Sequence, residues 1–105
     1  MSVKEFNFQI PKYFNLATNC IDRWMDNEEI SNKTAIYEVS QNLKIKTISY
    51  FELNKKISFY SNFLLGKGIK KGNKVLVRME NSLDFIVFFV SIVKIGGIVI
   101  PTSIL

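Results

Sequence analysis

The sequence predicts an α/β fold that runs, in order, through a helix, a β-hairpin, a second helix and a βαβ unit. Three observations predict it. Leu53, Ile57, Tyr60 and Leu64 recur at helical spacing and form one apolar stripe. Two stretches rich in β-branched residues flank the short polar segment Ser40, Gln41, Asn42. Two continuous apolar runs, Val75–Leu76–Val77 and Ile98–Val99–Ile100, bracket a long apolar stretch that begins at Leu83.

The first helix is expected over residues 15–26. Leu16, Cys20, Ile21 and Trp24 share a face there, Asn15 can cap the start, and Pro11 bars an upstream extension. Cys20 reads as a small buried hydrophobe on that face, not as a reactive thiol. The chain has no histidine, and Arg23 is the one basic neighbour at hand to activate it. The hairpin is expected to pair residues 34–39 with 43–48 across a three-residue loop in which asparagine takes the left-handed position.

The second helix is expected over residues 50–65. Ser49 followed by Glu52 forms a capping box, and Gly66 supplies a left-handed stop. In the last unit residues 74–79 form a strand buried on both faces, and Asn81 or Ser82 caps a helix with Asp84 in its first turn. Gly96 and Gly97 close that helix, and Pro101 stops the second strand. Strand, helix and strand with short links imply parallel strands. From Leu83 to Ile100 the chain is almost wholly apolar, and a membrane span is the competing reading. Asp84, Lys94, Gly96, Gly97 and Pro101 argue against a span, and the stretch divides naturally into helix and strand.

A length of 105 residues gives one domain or part of one. An apolar fraction of 48% with nine phenylalanines excludes a disordered chain. The net charge of +5 comes almost entirely from lysine, since Arg23 and Arg78 are the two arginines. The arginine forks of sequence-specific nucleic-acid readers are therefore missing, and no nucleic-acid partner is expected. Lys67, Lys70, Lys71 and Lys74 stand among Gly66, Gly68 and Gly72, the pattern of a solvated turn. One cysteine and no histidine leave no internal disulfide, no structural zinc site and no histidine-dependent catalysis. They fit a reduced, cytoplasmic protein. Residues 1–9 lack the apolar stretch of a signal peptide.

Several segments together resemble the adenylate-forming, AMP-binding superfamily. Ile48-Ser49-Tyr50-Phe51-Glu52-Leu53 is similar to its early motif at a helix start. Gly68-Ile69-Lys70-Lys71-Gly72-Asn73-Lys74-Val75 is similar to its turn into a strand, with Asn73 where the family usually has aspartate. Lys94-Ile95-Gly96-Gly97-Ile98-Val99-Ile100-Pro101 is similar to a third. The opening Ile10-Pro11-Lys12-Tyr13-Phe14-Asn15, with Asp22-Arg23-Trp24 and Pro101-Thr102-Ser103-Ile104, resembles medium-chain and related acyl-CoA synthetases. The likeness runs from about residue 10 to Leu105.

The resemblance implies a parent that activates a carboxylate with ATP and Mg²⁺ and passes the acyl group to coenzyme A. It also implies that the phosphate-gripping loop, the adenine and ribose contacts and the catalytic lysine lie beyond Leu105. Residues 1–105 are thus expected to be a partial N-terminal domain, inert alone. No catalytic, cofactor-binding or metal-binding residue is assigned within it. Its expected partner is the remainder of a synthetase, and its expected behaviour alone is marginal stability or aggregation. The alternatives are a binding module that associates with a synthetase and a small membrane-associated protein built on residues 83–100. Two tempting site readings are set aside. The Gly66–Gly72 cluster lacks the ending of a P-loop and follows a helix, and Lys94 suits the dipole at a helix C-terminus.

Overall fold

The computed structural model describes residues 4–104. Met1, Ser2, Val3 and Leu105, included in the readings above, lie outside the described residues. Residues 4–14 run as an exposed arm into α1 (Leu16–Cys20), a 3₁₀ turn (Asp22–Trp24) and α2 (Glu28–Ser31). β1 (Thr34–Val39) and β2 (Ile45–Ser49) form an antiparallel hairpin, and α3 (Tyr50–Gly66) follows at once. β3 (Lys74–Arg78), α4 (Leu83–Lys94) and β4 (Ile98–Thr102) complete the chain, with β3 and β4 paired in parallel. The two pairs are separate sheets.

The expected element order holds, and the differences are local. The first helix is broken after Cys20, where Ile21 leaves helical geometry at φ −127° and ψ −58°. The buried places fall to Ala17 and Ile21, and Leu16 and Cys20 are exposed, so Cys20 is not the buried hydrophobe expected. The hairpin loop has three residues, as expected, but one position later. Ser40 N donates to Lys44 O at 2.9 Å, and Leu43, not an asparagine, holds the positive φ of 60°.

α3 starts as read, with Ser49 Oγ accepting from Glu52 N at 3.1 Å. It ends differently. Gly68, at φ +91°, is the left-handed residue, while Gly66 is still helical. Gly68 N donates to Leu65 O and Ile69 N to Leu64 O, which is the Schellman pattern, and Ile69 packs in the same core as Leu64. α4 ends the same way, through Gly96 N to Val93 O and Gly97 N to Ile92 O. Pro101 does not stop β4. It lies inside the strand opposite Val77, as an edge strand permits.

Two apolar cores result. Ile21, Ile48, Leu53, Ile57 and Val87 form the first, with the hairpin's Ala35 and Ile36 against it. Leu64, Val77 and Ile92 form the second, beneath β3 and β4. Ser61 and Ser91 are buried where α3 meets α4. Ser61 Oγ donates to Ser91 O at 3.2 Å, and Ser91 Oγ donates to Val87 O at 2.6 Å. These small side chains satisfy themselves on the backbone and let the helices approach closely.

The expectation that β3 and β4 are buried on both faces is only half met. Val77 points inward and is buried, whereas Leu76, Ile98 and Ile100 are exposed. The radius of gyration is 16.3 Å, against about 13 Å for a compact 100-residue domain. The exposed arm, residues 4–14, contributes to the excess by extending away from the packed elements. Among the described residues no helix is long and apolar enough to cross a membrane. The apolar stretch divides, as its Gly96–Gly97 pair indicated, into the 12-residue α4 and β4.

Candidate functional site

The polar residues of the sequence motifs converge where the N-terminal segment meets the last turn of α4. Asn15 works in two directions. Its Oδ1 accepts from Ala17 N at 2.9 Å and caps α1, while its Nδ2 donates to Val93 O at 2.9 Å and to Lys94 O at 3.3 Å. One amide thus satisfies the start of one helix and the end of another. Lys94 does more than sit on the helix dipole. Its Nζ lies 3.4 Å from both carboxylate oxygens of Asp22 and 3.3 Å from Ser58 Oγ. Asn54 Nδ2 donates to Asp22 Oδ1 at 2.8 Å. Asp22 and Lys94 are roughly three-quarters covered, at 23% and 27% exposure. Residues 72 positions apart are therefore joined by a network that spans the 3₁₀ turn, α3 and α4. Beside it lies an open cleft of about 480 Å³ lined by Tyr13, Phe14, Asn15, Lys71 and Gly96 among others.

The glycine–lysine segment after α3 forms a turn with its amides already engaged. Gly68 N bonds Leu65 O, Gly72 N bonds Gly96 O at 2.9 Å, and Lys70 N bonds Asn73 Oδ1 at 2.7 Å. These three N–H groups therefore point at partners within the protein, whereas a phosphate cradle presents free, convergent N–H groups. Asn73 closes the turn with a side-chain oxygen that aspartate would equally provide, which explains why the departure from the family pattern is harmless.

Gly96 is fixed by space as well as by conformation. At φ +82° a Cβ would stand 2.9 Å from Lys71 Cγ. A Cβ on Gly97 would stand 2.8 Å from Ile92 Cγ2. The Gly-Gly pair is a close-approach seam between α4, the turn before β3 and the start of β4.

Sequence reasoning missed two features. Glu38 Oε2 accepts from Leu83 N at 2.7 Å, alongside the Ser82 cap, and pins the hairpin to the start of α4. A carboxylate on a strand gives no sequence signal for that role. Thr102 Oγ1 is buried without a hydrogen-bond partner among the described residues. It lines a cleft of about 280 Å³ with Met79, Asn81, Phe85 and Pro101, at the carboxyl ends of the two parallel strands. No group of three or more metal-ligating side chains occurs among the described residues.

This arrangement of helix, hairpin, helix and βαβ unit is shared with parts of several solved structures. Fatty acid AMP ligase from Legionella pneumophila superposes with a TM-score of 0.75 at 20% identity, covering 83% of this chain and 15% of that one. The N-terminal subdomain of Klebsiella oxytoca NpsA gives 0.70 at 21% identity, covering 85% of this chain and 21% of that one. CmiS6 gives 0.72 at 21%, covering 90% of this chain and 23% of that one. The fold is thus an α/β arrangement shared with part of each of these larger chains.

Sequence relatives are nearer. Crotonobetaine/carnitine–CoA ligase of Shigella flexneri serotype 5b (strain 8401) is 35% identical over 81 residues, 76% of this chain. The Citrobacter koseri protein of the same name is 33% identical over 86 residues, 81% of this chain. The chain spans only 16–17% of the length of those relatives. The family described as AMP-binding enzyme matches residues 22–104, and the chain belongs to it, as an N-terminal part of an adenylate-forming acyl-CoA ligase.

Proposed function

We propose that residues 1–105 are an architectural part of an AMP-forming acid–thiol ligase acting in the cytoplasm, and that they are inert on their own. The whole enzyme would join a carboxylate to coenzyme A at the expense of ATP. Residues outside this stretch would hold ATP, Mg²⁺ and coenzyme A. One observation carries the reading. The residues that mark the family here are spent on internal bonds: Asn15 on two helix ends, Lys94 and Asp22 on each other, Gly96 and Gly97 on a seam. Groups committed in this way shape a scaffold and leave little to act on a substrate.

The test is ATP–pyrophosphate exchange by the purified chain with acetate, butyrate, octanoate and a quaternary-ammonium carboxylate of the kind named for the relatives. No exchange above the blank is expected. Measurable exchange would sink the proposal.

The second reading, a module that binds within a synthetase, draws on the bare outer face of the β3–β4 sheet, where Leu76, Ile98 and Ile100 are exposed. Co-purification with a synthetase lacking its own N-terminal segment is the measurement that separates it from an inert piece.

A further inference from the structure

α3 presents two unlike faces. Leu53, Ile57, Ser61 and Leu64 point into the protein and are buried. On the opposite side Phe51, Lys55, Phe59 and Phe63 follow one another at four-residue intervals, where a half-buried helix ordinarily carries polar side chains. The three rings are 49%, 66% and 49% exposed. Lys55 Nζ lies 5.2 Å from the centre of the Phe51 ring, and Lys67 Nζ lies 5.5 Å from that of Phe63. Glu52 is the one acidic residue on α3, against Lys55 and Lys56. Lys67, Lys70, Lys71 and Lys74 continue the basic run past its end, and all are exposed.

We propose that this face of α3 docks on an anionic lipid surface, with the phenyl rings entering the boundary between headgroups and acyl chains and the lysines meeting the lipid phosphates. Charge complementarity selects this occupant. A rigid helix face that mixes bare phenylalanine with lysine, and leads into a lysine cluster, is the composition of an interfacial helix. Lysine stems lying over the rings can swing outward and keep their charge in the headgroup layer while the stems cover apolar surface. Phenylalanine offers no hydrogen bond that a polar protein groove would use, and α3 carries no arginine for nucleic acid. The helix lies on the surface and does not cross it. The inference does not rest on the ligase reading, and its test reads lipid binding, which can succeed or fail whatever the exchange assay shows.

Flotation of the chain with vesicles tests it. One set is phosphatidylcholine alone, and the other contains about one-third phosphatidylserine. The chain is expected to float with the anionic set only, and to be released when salt approaches about 1 M and the Debye length shrinks to about 3 Å. F59Q/F63Q lowers the partition at least about tenfold by removing apolar area. K55E/K67E lowers it to a similar degree of about tenfold by reversing two charges. All four positions are exposed, so circular dichroism should be unchanged. Should a double variant lose helicity, the single substitution F59Q with the salt titration of the unaltered chain carries the test.

Equal binding to both vesicle sets, no binding to either, or binding indifferent to these substitutions would overturn the proposal. So would loss on Phe6→Gln/Phe8→Gln instead, which would put the contact in the N-terminal arm. Self-association without lipid that F59Q/F63Q abolishes would make a second copy the occupant. Binding to single-stranded DNA without binding to vesicles would make it nucleic acid.

Discussion

The core around Ile57 is walled by the end of α1, the hairpin, α3 and α4, whereas the core around Ile92 lies under a two-stranded sheet with an open outer face. Both contain side chains almost wholly removed from water. They differ in what surrounds the removed atoms. In the first, side chains from the end of α1, the hairpin, α3 and α4 surround Ile57. In the second, β3 and β4 are held by α4 on one side and by nothing among the described residues on the other. The described residues therefore hold one apolar unit enclosed by four elements and one whose sheet is bare on its outer face. A sheet of only two parallel strands with exposed Leu76, Ile98 and Ile100 is the element that a larger sheet or a partner would complete.

Ile57→Ala should be the most damaging change, costing about 3–4 kcal/mol, because the site is enclosed and cannot collapse. Urea denaturation of the chain followed by circular dichroism measures it. Ile92→Ala makes the same deletion in the open core and should cost less, about 2–3 kcal/mol, since the thinner wall can relax inward. Equal losses at the two sites would erase the distinction between the cores.

Gly96→Ala acts at the seam joining α4 to the sheet. A left-handed alanine and the contact with Lys71 together should cost about 1–2 kcal/mol. Asn15→Ala removes a cap at one helix start and a donor at another helix's end, for about 1 kcal/mol. Asn15→Asp retains the capping oxygen but sets a carboxylate oxygen against the carbonyls of Val93 and Lys94, so a shift in the urea midpoint at least as large is expected from it. Leu76→Lys, on the bare face, should change stability by less than about 0.5 kcal/mol while reducing light scattering on concentration. A loss comparable to that of Ile92→Ala would mean that the outer face is covered after all.

Much of this was legible in the sequence. The stripe Leu53, Ile57, Tyr60, Leu64 located α3, and Ser49 fixed its first residue, because cap and periodicity agreed there. The Gly96–Gly97 pair correctly divided the apolar stretch into helix and strand. The misreadings share a cause. Cys20 shares a helical face with Leu16, but Ala17, too small to weigh in an apolar count, takes the buried place one residue on, in line with Ile21. Leu43 took the left-handed position because the bond between Ser40 and Lys44 set the loop, in a register carried by the whole ladder back to Thr34 and Ser49 and not by the loop residues. The junction of Asn15, Asp22, Asn54 and Lys94 was invisible for the same reason. Each residue had a plausible local role, and the sequence does not say which distant partners meet.

The two glycine-terminated helix ends have a consequence for how the chain finds its register. Gly72 N bonds Gly96 O, and Ile98 N bonds Asn73 O, so the turn before β3 and the turn before β4 are stitched to each other directly ahead of the first strand pair, Lys74 with Ile98. Each turn is held by the bonds that close its own helix, and the stitch stands at the head of the strand register. Every later pairing, down to Arg78 with Thr102, keeps that alignment. Inserting one residue between Asn73 and Lys74 would not merely lengthen a loop. It would turn Val77 out to solvent and Leu76 into the core, inverting the strand as a whole.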